Sequence, residues 1–178
     1  MSQNASLFSI EEKTFHKLKD ERGTKELVHL SNEHVTFHQT HEGLTFVLSK
    51  GQTEDLLDLV TEIFYPLLSF GKSVELETID TISIDEDDLD TNEPVFYHSA
   101  RKVTQISKLL NTIDEETFLV NFDADEMNSE DVYPGTWNSN ANGRSPFNQV
   151  HLAEDFRKLK LFFEQAAGEG CYILVFIN

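Results

Sequence analysis

CYILVFI, Cys171 to Ile177, is a run of seven apolar residues following Gly168 and Gly170. Seven residues cannot span a bilayer, for which a helix needs about 20. Their β-branched and aromatic content suits a strand. A strand apolar on both faces needs cover on both, which a central place in a sheet supplies. The two glycines also end the segment before it, in which Leu152, Phe156, Leu159 and Phe163 recur at i, i+4, i+7 and i+11. That spacing predicts a long helix. Residues 5–9 read as a second short strand, expected in the same sheet. The resulting expectation is an α+β fold, with several helices packed on a small sheet that includes the N-terminal and C-terminal strands.

Outward from this pair, the chain reads mostly as helices. Ser9 with Glu12 three residues on forms a capping-box pattern, and Phe15 and Leu18 face inward. Thr24 starts a short helical turn ending near Leu30. Ser31 caps a helix running to about Leu48, with Gly43 inside it. Glycine there costs about 1 kcal/mol against alanine, so it implies close approach of another backbone or a break. Thr53 starts a clearer helix carrying Leu56, Val60, Ile63, Phe64 and Leu67, which Pro66 kinks or ends and Gly71 stops. Val74, Leu76 and Thr78 alternate as a strand would. Ser99 opens a helix striped with Val103, Ile106, Leu110 and Ile113. Asp114 caps another, carrying Phe118, Leu119 and Phe122. Pro134-Gly135 marks a tight turn before Trp137, and residues 138–146 read as a mobile loop. No internal repeat is visible.

Composition bounds what such a fold can do. The chain has 178 residues, the length of one ordinary domain, and can bury a core without disulfides or metals. Its one cysteine, Cys171, excludes a disulfide framework. The opening residues lack a basic start followed by a long apolar stretch, so no signal peptide is expected. A reducing, cytoplasmic compartment is the natural reading. Net charge is −18. Such a field repels phosphate backbones and anionic lipid, which argues against nucleic acid and membrane surfaces. A basic protein or a neutral small molecule is the better partner. Plain solubility is the bland account of the same charge.

Four stretches carry a family resemblance. They are GLTFVLSKG at Gly43–Gly51, PVFYHSARKVTQISKLL at Pro94–Leu110, FDADEMNSEDVYPGTW at Phe122–Trp137, and LKLFFEQAAGEG followed by CYILVFIN at the end. Together they resemble the YfbM-like proteins, a bacterial family classed as a domain of unknown function. The likeness runs over nearly the whole chain and implies a compact α+β domain. It brings no catalytic residues with it. The sequence departs from the family pattern near His41, where relatives tend to carry Trp.

Four constellations invite chemistry. On a continuous helix, His34, His38 and His41 share one face, where imidazoles a turn apart can hold a metal such as zinc, with Glu33 or Glu42 adding an oxygen. A polar, half-exposed face is the competing account, and no cofactor is expected. Asp85, Asp87, Asp88 and Asp90 suggest calcium, yet they lack the turn glycine and closing glutamate of an EF-hand loop. Residues 73–93 hold nine acids and no basic residue, which reads as a solvated segment. Tyr97, His98, Tyr133 and Trp137 are polar-tipped aromatics near turns, suited to contact a ligand or partner. Equally, Tyr133 and Trp137 can pin their turn to the core. Asp123, Asp125 and Glu126 can pair as acid and base or simply cap a helix.

No Gly-x-Ser-x-Gly elbow, phosphate-cradling loop or Cys-x-x-Cys pair is present. Cys171 lies in the apolar strand and reads as core. The leading hypothesis is a non-catalytic binding protein with an acidic surface. Its rivals are a ligand-binding protein or enzyme with a pocket beside Tyr133 and Trp137, and a metal-binding protein using the histidines. The oligomeric state is left open.

Overall fold

The computed structural model describes residues 3–21, 30–71, 94–139 and 146–178. Five strands form one antiparallel sheet: β1 (Asn4–Ile10), β2 (Glu33–His38), β3 (Leu68–Phe70), β4 (Val95–His98) and β5 (Tyr172–Ile177). Their order is β2-β1-β5-β4-β3, so the apolar run is the central strand and residues 5–9 are its direct neighbour, as its two-faced hydrophobicity requires. Leu7 lies opposite Val175 and Phe8 opposite Leu174.

Alternation along the strands sorts side chains to two faces. Ala5, Leu7, Phe37, Ile173 and Val175 enter the main core beneath the helices. Ile10 and Leu174 point the other way, into a smaller cluster with Phe15, Leu18, Phe70 and Val95. That cluster is covered by α1 (Glu12–Glu21), whose Phe15 ring stacks on Tyr172 at 4.2 Å.

Six further helices lie among the described residues: α2 (His41–Ser49), α3 (Glu54–Glu62), α4 (Ala100–Thr112), α5 (Glu115–Val120), α6 (Ala124–Ser129) and α7 (Gln149–Gly168). The stripes read from spacing are the buried ones: Val103, Ile106 and Leu110 on α4, and Leu152, Phe156, Leu159 and Phe163 on α7. Side-chain caps fix four starts, with Ser99, Asp114 and Asn148 accepting backbone N–H groups of Lys102, Thr117 and His151, and Asp123 those of Asp125 and Glu126. No helix among the described residues is long and apolar enough to cross a membrane.

The single helix expected from Ser31 to Leu48 is instead β2 followed by α2. Val35 and Phe37 face the core while His34 and His38 are exposed on the other side, a period of two that a helical reading of the same residues overlooks. The break falls at Gln39, which adopts φ 62, a left-handed conformation no helix interior tolerates. Other boundaries also shift. α3 ends at Glu62, before Pro66, and Leu67 is 80 % exposed rather than inward-facing. Phe122 lies beyond α5, though it still packs on the core. β3 and β4 are short strands the sequence reading did not separate. The helical turn at residues 24–30 except Leu30, the strand at 74–78, the acidic run at 85–90 and most of the 138–146 loop lie outside the described residues.

Gly43 marks a close approach, but of a ring rather than a backbone. A Cβ there would sit 2.2 Å from Cη2 and 2.4 Å from Cζ2 of Trp137. Real Cβ contacts essentially never fall below 3.0 Å. Gly43→Ala must therefore push the indole or tilt α2. We expect it to cost about 1–3 kcal/mol, as overpacking does, although alanine is the better helix former. Urea unfolding of the variant beside the parent protein checks this.

Candidate functional site

Three chain segments meet at one end of the sheet. The first is the start of α2. The Thr40 hydroxyl donates to Asp155 Oδ2 at 2.6 Å, and Lys158 holds the other carboxylate oxygen at 2.8 Å. This buried anchor on α7 fixes the entry to α2 and turns His41 inward. The second is the turn after α3, which brings Phe64 and Tyr65. The third is the Tyr133–Pro134 turn, whose peptide is cis. The Tyr133 backbone N–H donates to Glu42 Oε2 at 3.1 Å, and the Gln3 backbone N–H donates to the Tyr133 phenol at 2.9 Å.

His41 is fully buried at this junction. Its ring centroid lies 5.8 Å from Phe64, 6.4 Å from Tyr65 and 6.4 Å from Tyr133. Both ring nitrogens are buried without a hydrogen-bond partner among the described residues. Leaving a polar group in that state costs about 1–3 kcal/mol, so it calls for a reason. Burial lowers the imidazole's pKa, against a smaller raising effect of the Glu42 carboxylate, so the ring is neutral at pH 7. A neutral imidazole offers one donor and one acceptor. Burial, and then Glu42, raises the Tyr65 phenol above its ordinary value.

Beside this junction a cavity of about 520 Å³ opens where β4 begins and β5 ends. Residues 64–66, Pro94 with Phe96, and residues 175–178 line it. Its walls are mainly apolar and aromatic. Pro94 lacks a backbone N–H and cannot extend the ladder, which helps to set the start of β4 at Val95. The volume falls within the range of small-molecule sites, about 300–1,000 Å³.

The histidine metal set does not form. His34 and His38 stand on an exposed strand face, four residues or about 13 Å apart. His41 is buried on α2. No three His, Cys, Asp or Glu side chains converge as metal ligands among the described residues. The geometry fails because the segment is a strand, which spreads positions i and i+4 that a helix would stack.

Nor do the four aromatics form one patch. Tyr97 sits under α1, 4.7 Å from Phe15. His98 is on the opposite face of β4, fully buried, with Nε2 3.1 Å from the Ile63 carbonyl. Desolvation holds its pKa at about 4 despite that bond, so Nε2 is the donor. Trp137 is 5 % exposed, and its indole N–H donates to the Val132 carbonyl at 2.8 Å. It is core. Tyr133 alone stands at the junction. Asp123 accepts two backbone N–H groups at the start of α6, and Glu126 pairs with Lys50, so the capping account holds. Burial and Glu169 push the Cys171 thiol up to about 11, which leaves it un-ionised and unreactive. Tyr65, Phe64 and Phe96 were not singled out by the sequence. The one local hint was a pair of chain breakers, Pro66 and Pro94, which flank the cavity.

Comparison with known proteins gives one family and one fold. The profile of a family described as a domain of unknown function, DUF1877, matches residues 1–176. Among solved structures, that of a protein of unknown function, YfbM from Escherichia coli, superposes with a TM-score of 0.59 at 13% identity, covering 99% of each chain. At that identity the likeness is one of fold. No curated protein matches the chain. The chain belongs to the DUF1877 family, whose defining domain has no assigned activity.

Proposed function

We propose that this protein binds a neutral or cationic small molecule through the cavity at the β4–β5 end of the sheet. The observation that carries the reading is the cavity itself: about 520 Å³, walled by rings from three separate chain segments and closed at one side by the central strand. Apolar walls with a few polar groups nearby are the usual composition of a ligand site. The net charge of −18 disfavours anions at any opening on this surface and favours cations or neutral ligands. The lone, buried Cys171 supports a reducing, cytoplasmic setting for that role. The reading keeps the small-molecule arm of the sequence analysis and moves its location from Tyr133 and Trp137 to Tyr65 and Phe96.

Phe96 offers a direct test, because it lines the cavity yet is well exposed. Phe96→Trp adds volume inside the cavity and changes stability by less than about 0.5 kcal/mol, as exposed substitutions usually do. A library of neutral and cationic aromatic fragments is screened by ligand-observed NMR against parent and variant. Hits should bind the variant about tenfold more weakly, equivalent to about 1.4 kcal/mol. Hits that bind both proteins equally would move the site elsewhere.

A further inference from the structure

Two buried histidines pack against the segment 63–65, and only one of them finds a hydrogen-bond partner among the described residues. His98 Nε2 meets the Ile63 carbonyl at 3.1 Å. His41, equally buried, has neither Nδ1 nor Nε2 paired among the described residues. A core histidine retained for packing alone normally finds a partner, as His98 does. The surroundings of His41 show where a partner would enter. Phe64 and Tyr65, both in ring contact with His41, also line the cavity, so the imidazole lies one ring behind the cavity wall. Of those two rings Phe64 is buried, whereas Tyr65 is 44 % exposed and sits in the turn after α3. Tyr65 is therefore the movable part of the wall. Glu42, the nearest carboxylate, is already engaged by the Tyr133 N–H.

We propose that His41 is the recognition group of this cavity, reached when the Tyr65 ring turns outward, and that it selects a mainly apolar ligand bearing one donor and one acceptor, such as a primary amide or an alcohol. The inference rests on the cavity reading and deepens it. Glu42 beside the imidazole disfavours a carboxylate head group in the same place. A hydrocarbon of the same shape fills the apolar part of the cavity and leaves His41 as it is. The amide supplies a hydrogen bond to the ring nitrogen that faces the cavity, as donor or acceptor according to the tautomer, and gains selectivity from a group that would otherwise stay unpaired.

The experiment uses the whole chain and two probes, benzamide and toluene. Methyl signals of Val175 and Ile177 report occupancy of the cavity. The His41 ring nitrogens, followed in a long-range 1H–15N spectrum, report the hydrogen bond. Benzamide is expected to move both sets of signals and toluene the methyls alone. His41→Phe should weaken benzamide about tenfold, or about 1.4 kcal/mol, and toluene by less than twofold. If that variant does not fold, the imidazole signals of the unaltered protein still decide. Methyls that respond to benzamide while the imidazole stays silent overturn the role of His41 and leave the cavity reading intact. Methyls that respond to neither probe overturn both.

Discussion

Trp137→Ala should destabilise the protein by about 3–5 kcal/mol, the cost of deleting a large buried ring. The indole is 5 % exposed and fills the space over Gly43, with Phe122 at 6.3 Å and Phe147 at 5.9 Å, both edge-on. Alanine would leave a void bounded by these three residues. It would also strand the buried Val132 carbonyl, which now accepts the indole N–H. The bonds between the Trp137 backbone and the Asn128 side-chain amide survive the change, so the loss belongs to the ring. Tyr133→Phe is the matched control. It removes an exposed bond to the Gln3 N–H and should cost no more than about 1 kcal/mol. Denaturant melts of the two variants separate the anchor from the contact residue. A Trp137→Ala protein as stable as its parent would mean that the ring is not part of the core.

Acidification should bring the second large effect. The His98 pKa is about 4 in the folded chain against an ordinary 6.5. Between those values the unfolded chain binds a proton that the folded chain does not, so stability rises with pH across that window and falls as pH drops from 6.5 to 4. Below pH 4 both states are protonated and the loss is complete. At 1.36 kcal/mol per pH unit, the full loss is about 3 kcal/mol. Burial also lowers the His41 pKa, so its contribution has the same sign. Carboxylates titrate in the same range, so the effect is read as a difference. His98→Gln should cost stability at pH 7.5, where the native ring is neutral and bonded to Ile63. The parent's advantage should shrink by about 3 kcal/mol by pH 4. An advantage that stays constant with pH would show that His98 does not titrate as described.

The parts of the fold that were legible are those where local pattern and tertiary role coincide. β5 announces itself because all its side chains are apolar, and α7 because four apolar residues hold helical spacing over three turns. The segment at 33–38 reads as helix when Ser31 is taken as a cap and Val35 and Phe37 are grouped with Leu44, Val47 and Leu48 as one apolar face. The smaller signal, Val35 and Phe37 in alternation, carried the strand. Edge-strand pairing to β1 is a long-range event that no window of sequence contains. The cavity was illegible for the same reason. Phe64, Phe96 and Ile177 are unremarkable apolar residues in three distant segments, and only the sheet topology brings them to one notch. His41 was noticed, but for a metal. Its significance lies in having no partner among the described residues, and that is a property of three-dimensional surroundings.

The central position of β5 also shapes how the chain can be made. β1 and β2 emerge early from the ribosome and pair with each other, and β3 and β4 form a second hairpin-like pair much later. The strand that joins them is the last of the described elements to appear. Until Tyr172–Ile177 is free of the exit tunnel, β1 and β4 each present an unpaired apolar edge with nothing to close it. Translation at about 5–20 residues per second leaves those edges waiting for several seconds. Nascent chains halted just before Tyr172 should therefore be prone to aggregate and to engage chaperones, whereas chains released past Asn178 should be neither.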